Sequence, residues 1–168
     1  MTFPVPKDVR ATREFEVVEG GDELFRKDWP VVDAAARFDP GEWVKPVTSG
    51  GLTKAAKLVV GDDIDEPALG ARVCWTLKVP DGDGQTDAMA TGHITVLSGA
   101  YEAKTKIYNT GGTYAPGYLL VAVFDAAEER GYLDAPDPAT MNARQLQGVV
   151  GRVIEVAAGV LHYQAPGL

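Results

Sequence analysis

An all-β fold, a sandwich or a barrel, is the class this sequence predicts, and three observations carry it. Short apolar or alternating segments recur along the chain, each bounded by turn residues. There are 19 glycines, which supply the reversals such a fold needs. No stretch carries the periodicity of a long amphipathic helix. The size agrees: 168 residues, 45% hydrophobic and 24% charged, make one folded domain with a sizeable core.

Residues 1–28 read as an extended N-terminal arm and residues 29–168 as a β-rich core. Pro4 and Pro6 block regular ladders, and "REFEVV" offers one short strand before the Gly20-Gly21 break. Phe3, Phe15, Phe25 and Trp29 would each gain about 1.5–3 kcal/mol on burial, so the arm is expected to dock, on its own domain or on a neighbour.

In the core, "GEWVKPV" and "GLTKAAKLVV" form a strand pair around "TSGG". "GDDIDEPALG" is a polar loop. "ARVCWTLKV" alternates, with Ala71, Val73, Trp75, Leu77 and Val79 on one face and Arg72, Cys74, Thr76 and Lys78 on the other, which predicts a half-buried strand. After the long turn "PDGDGQTDAMAT", Ile94 and Val96 oppose His93 and Thr95. Tyr101, Ala103, Thr105 and Ile107 then alternate with Glu102, Lys104 and Lys106. "GYLLVAVF" is apolar throughout and fits a central strand covered on both sides. Residues 125–147 read as connection, with at most a turn of helix over Ala126 to Arg130. "GVVGRVIEVAAGVLHYQ" closes the chain as two strands joined around Ala157 to Gly159.

Chemistry is sparse in the sequence. Counted from Asp81, "DGDGQTD" puts Thr86 and Gly92 where an EF-hand calcium loop needs glycine and glutamate, so a hairpin turn explains Asp81, Asp83 and Asp87. Asp62, Asp63, Asp65 and Glu66 cluster in a loop without a spaced histidine, as solvated loops do. His93 and His162 fall on separate strands, and no nucleophile elbow or zinc-protease motif accompanies them. Cys74 is either partly exposed or covered by a second layer, with no patterned basic neighbours to activate it. The glycines at 111, 112 and 117 lack the lysine and helix of a phosphate loop. Asp125, Glu128 and Glu129 are adjacent, which is no evidence of the separated carboxylates a glycosidase needs. No catalytic, cofactor-binding or metal-binding residue is assigned, and no cofactor is expected.

The formal net charge of -8 disfavours nucleic-acid binding. A single cysteine excludes an intrachain disulfide. No apolar stretch reaches the roughly 20 residues a membrane-spanning helix needs, and "MTFPVPKDVR" lacks a secretory layout. The expected setting is a reducing cytoplasm, or a particle assembled there.

Three segments carry a resemblance: "GEWV…GGLTKAAKLVV", "TVLSGAYEAKTKIYNTGGTYAPGYLLVAV" and "GVVGRVIEVAAGVLHYQ". Together they resemble the head decoration, or cement, proteins of tailed bacteriophages over about two thirds of the chain. The resemblance implies a β-tulip or barrel-like fold. It also implies homotrimers on the outer surface of the virion, contact with the major capsid protein, and an N-terminal arm reaching a neighbour. The loops at 79–90 and 125–147 depart from that pattern. On this expectation Phe3, Phe15, Phe25, Trp29, Tyr108 and Tyr114 are partner-interface candidates, because aromatics combine large contact area with, for tyrosine, a polar tip. The alternatives are a tail or baseplate component, or a small β-barrel enzyme or ligand-binding domain with a loop-built site at Asp81, Asp83, His93 and Asp125.

Overall fold

The structure is a computed structural model that describes residues 14–20, 25–76, 78 and 92–166. It is nearly all β. In chain order the strands are β1 (Phe15–Gly20), β2 (Phe25–Pro30), β3 (Trp43–Ser49), β4 (Leu52–Lys57), β5 (Arg72–Val73), β6 (His93–Ser98), β7 (Tyr101–Thr105), β8 (Leu119–Asp125), β9 (Arg130–Asp134), β10 (Val149–Ala157) and β11 (Val160–Ala165). One short helix, α1 (Ala143–Gln147), precedes β10.

A nine-stranded sheet runs β1-β7-β11-β10-β8-β9-β3-β4, with β5 on β3, and a second sheet pairs β2 with β6. The ladders between these strands are antiparallel. The large sheet also curls back on itself. Past β7 the chain bridges Tyr108 to Leu133 of β9, with Asn109 N donating to Leu133 O at 2.8 Å and Leu133 N to Ile107 O at 3.2 Å. β2 and β6 form the facing layer, giving a sandwich-like single domain with a rolled main sheet.

Two apolar clusters fill it. Phe15, Trp43, Leu97, Tyr101, Leu133 and Tyr163 belong to the larger, inside the rolled sheet. Trp29, Phe38, Val44, Cys74, Ile94 and Val96 belong to the smaller, between the β2–β6 layer and β3–β4.

Most expected strands are present. "TSGG" turns β3 into β4 through Gly50 and Gly51 at φ 62° and 76°, the positive values a two-residue hairpin requires. β8 is buried from Leu120 to Val123, as its unbroken apolar run demands. Ala158 and Gly159 at φ 52° and 75° make the β10–β11 turn.

Other expectations change. Residues 15–20 and 25–28 are strands of the domain and not a separate arm: β1 pairs with β7 and β2 with β6. The alternating segment around Cys74 is a seam and not one long strand. Arg72 and Val73 pair with β3, then Cys74 bridges to Val96 of the other sheet and Trp75 N donates to Thr95 O at 2.8 Å. Covered by both layers, Cys74 and Lys78 are buried despite alternating with the apolar face. Residues 126–129 are turn and not helix, β9 follows them, and the helix lies at 143–147, where Asn142 and Gln145 form a reciprocal capping box.

Candidate interaction surface

The loops and seams that collect polar side chains use them to hold the fold. In "GDDIDE", Asp62 Oδ2 accepts from Lys45 Nζ at 2.7 Å and Val59 N at 2.8 Å. Asp63 Oδ1 accepts from the Asp65 and Glu66 amides, each at 2.9 Å. The buried Gln145 of α1 donates through Nε2 to Ile64 O at 2.8 Å, clamping the helix to this loop.

Glu42, 0% exposed, is a second anchor. Its Oε1 accepts from Asp39 N at 2.9 Å and its Oε2 from Lys57 Nζ at 2.8 Å. Burial lifts this carboxyl above its ordinary 4.5, with Lys57 opposing the shift. Lys78, 2% exposed, donates through Nζ to the carbonyls of Ala34 and Ala36. Cys74 Sγ donates to Thr76 O at 3.0 Å, and burial raises the thiol well above the range in which a thiolate forms.

A third node ties the 109–118 loop to β9. Tyr114 OH donates to Asn109 O at 2.7 Å, and Asn109 Nδ2 to Asp134 Oδ2 at 3.0 Å. Tyr108 meets the Tyr114 ring edge to face at 5.4 Å. Burial and the Asp134 charge together hold the Tyr114 hydroxyl protonated. His162, on β11, places Nε2 3.3 Å from Glu102 Oε2 and Nδ1 3.8 Å from Glu155 Oε1, so its two ring edges face different carboxylates across neighbouring strands.

A cavity of about 90 Å³ lies among Trp43, Arg72, Leu97, Tyr101 and Val150, below the roughly 300 Å³ of a small-molecule site. A neighbouring depression of about 310 Å³ is open to solvent over Leu119, Gly151, Arg152 and Gln164. Among the described residues, arginine is the only charged residue type lining either hollow. Among the described residues no three His, Cys, Asp or Glu side chains gather to hold a metal ion, and no helix is long and apolar enough to cross a membrane. Of the loop-built site, Asp81 and Asp83 lie outside the described residues, as does the "DGDGQTD" turn. His93 begins β6 in the small sheet, whereas Asp125 ends β8 in the large one and accepts from Ala127 N at 3.0 Å.

The aromatic interface candidates divide. Phe3 lies outside the described residues, and for Phe25 only its place in β2 is described. Phe15, Trp29 and Tyr108 are 5%, 8% and 7% exposed and belong to the chain's own core, so they are corrected from interface anchors to core residues. Phe15 packs edge to face on Trp75 at 6.4 Å. Tyr114 is half-buried in its loop node. Among the described residues, the large apolar side chains left in water are aliphatic. Leu52 on β4 is 60% exposed and Val32, whose amide donates to Ala55 O on the outer side of β4, is 50% exposed; Val59 and Val60, in the turn after β4, are 53% and 84% exposed. Val18 on β1, at the opposite end of the sheet, is 47% exposed. Sequence reading favoured rings over aliphatics, and nothing in the periodicity separates a strand at the sheet's end from one at its centre. Compared with known proteins, the chain matches no family model, no curated protein and no solved structure.

Proposed function

We infer that the protein is a structural virion component that binds the outside of a phage capsid through the major capsid protein and stabilises it, acting as a homotrimer without catalysis. The observation that carries this reading is how the chain spends its chemistry. Glu42, Lys78, Gln145, Asp134 and Cys74 are all turned inward onto backbone or partner side chains of the same fold. Large aliphatics meanwhile stay exposed on the end strands of the large sheet, Val18 on β1 and Leu52 on β4. A stiff scaffold with sticky margins suits a protein that works by contact. The resemblance of its three best-patterned segments to cement proteins supports the capsid as the surface contacted. Many copies on one shell turn individually modest contacts into avidity.

The test mixes purified protein with undecorated phage heads. Co-sedimentation and a higher capsid melting temperature are expected. Unchanged melting together with protein left in the supernatant would overturn the reading.

A further inference from the structure

We propose that copies of this chain join edge to edge, the outer side of β1 in one copy adding antiparallel to the outer side of β4 in the next. The proposal rests on the reading of the protein as a self-associating structural component and names the surfaces involved.

Backbone direction comes first. β1 and β4 end the large sheet. Lys106 N donates to Glu14 O, so Glu14 faces β7 and the alternating residues Phe15 and Val17 turn their amide and carbonyl away from it. On the other margin, Val32 N donates to Ala55 O, so Ala55 turns away from β3 and Thr53 shares its direction. Among the described residues no strand occupies the outer side of β1, or of β4 before Ala55. Exposed amides and carbonyls of this kind form a template for another strand.

The side chains then fix the register. Setting Val17 opposite Thr53 makes both outward-facing backbones a hydrogen-bonded pair. The same alignment places Glu16 opposite Lys54, an acid against a base, and brings Val18, the bulge residue of β1, beside Leu52, an aliphatic against an aliphatic. Glu16, Val18 and Leu52 are exposed and Lys54 is half-buried. Neither Glu16 nor Lys54 has an ion partner among the described residues. Sliding two residues one way sets Val18 against Lys54; sliding the other way sets Glu16 against Leu52 and offers Lys54 only Glu14, which is already paired with Arg130.

The occupant is therefore a second copy, and the two edges are different surfaces. Such a head-to-tail contact repeats around a ring when the rotation closes. Val32 limits the free edge at Ala55, and the β1 bulge between Val17 and Glu19 limits the other strand. Each contact is short, so the assembly depends on repetition and on concentration.

The full chain carries the test. Glu16→Cys chains are mixed with Lys54→Cys chains under mild oxidation, the native Cys74 being fully buried. Rapid formation of the mixed disulfide is expected. The control pairs Lys54→Cys with Lys104→Cys, whose position is exposed on β7. Equal rates in test and control would overturn the contact. In sedimentation at low salt, Lys54→Glu should weaken self-association about two- to fivefold, and adding Glu16→Lys should restore it. No weakening, or no restoration in chains that remain folded, overturns the register. A monomer that still binds phage heads overturns the edge contact and the homotrimer, and leaves the reading of capsid binding standing. Edge cross-links in a chain that ignores phage heads support the contact and remove that reading.

Discussion

Lys57 Nζ lies 2.8 Å from Glu42 Oε2, and the carboxylate it reaches is closed to solvent while Lys57 keeps a quarter of its side chain in water. The pair fastens the loop before β3 to the end of β4, and Lys57 also donates to Arg37 O at 3.0 Å. A buried ion pair adds little net stability, because desolvation consumes most of the attraction. Removing one partner is costly.

Lys57→Met should therefore lower unfolding free energy by about 3–5 kcal/mol at neutral pH, read from urea denaturation. The loss depends on pH with a defined sign. Burial already raises the Glu42 carboxyl, and removing Lys57 takes away the strongest opposing influence. A folded-state value above the unfolded one means that the native state holds the proton more tightly. Stability is then retained below that window and lost as pH rises through it. The deficit of Lys57→Met should be larger at pH 8 than at pH 5, and Glu42→Gln should flatten the dependence. A deficit constant across that range would remove Glu42 as its source.

Gly131 sits where β9 meets β3 through its pairing with Trp43. A Cβ there would lie 2.2 Å from Trp43 O, a backbone atom with no rotamer to give. Gly131→Ala should cost about 3 kcal/mol by forcing the strands apart, lowering the midpoint by about 6–12 °C. Calorimetry checks this. A shift under a degree would mean that the junction moves freely.

Cys74 should be silent to thiol reagents in the native protein at pH 8 and react fully in denaturant. Its side chain is 0% exposed, burial keeps it protonated, and Sγ is engaged with Thr76 O. Labelling by a chromogenic disulfide measures this directly. Native-state reaction as fast as in denaturant would contradict the packing of the seam.

The contrast between legible and hidden elements has a physical cause. β7 and β8 could be read from sequence because each has a uniform environment along its length: Tyr101, Ala103 and Thr105 face the core while Glu102 and Lys104 do not, and β8 is covered throughout. The segment from Arg72 to Lys78 alternates just as cleanly, but it passes from one sheet to the other, so Cys74 and Lys78 are covered by tertiary packing that no local period records. β9 was hidden because Gly131 reads as a break when viewed locally, whereas its lack of a side chain is what lets Trp43 approach. Glu42 and Gln145 look like surface residues until their partners, Lys57 and Ile64, arrive from distant positions. The candidate surface was misread for a related reason. Aromatic content points to where area is buried, and in Phe15, Trp29 and Tyr108 that burial is internal.

Deleting residues 1–28 should destroy the folded state and not merely detach an appendage. The deletion removes β1 from β7, strips β2 from β6 except for its last residues, and takes Phe15 out of the main core. It also removes the Glu14 carboxylate that Arg130 Nη1 reaches at 3.1 Å. Exposing the apolar faces of β6 and β7 would cost several side chains' worth of burial, each about 1.5–3 kcal/mol, against a total stability of about 5–15 kcal/mol. Circular dichroism and size-exclusion chromatography of the truncated chain should show an unfolded or aggregated product. A truncated chain that stays monomeric, melts cooperatively and keeps the wild-type β signal would show instead that the first two strands are dispensable, and the edge contact proposed through β1 would then be testable by its simple removal.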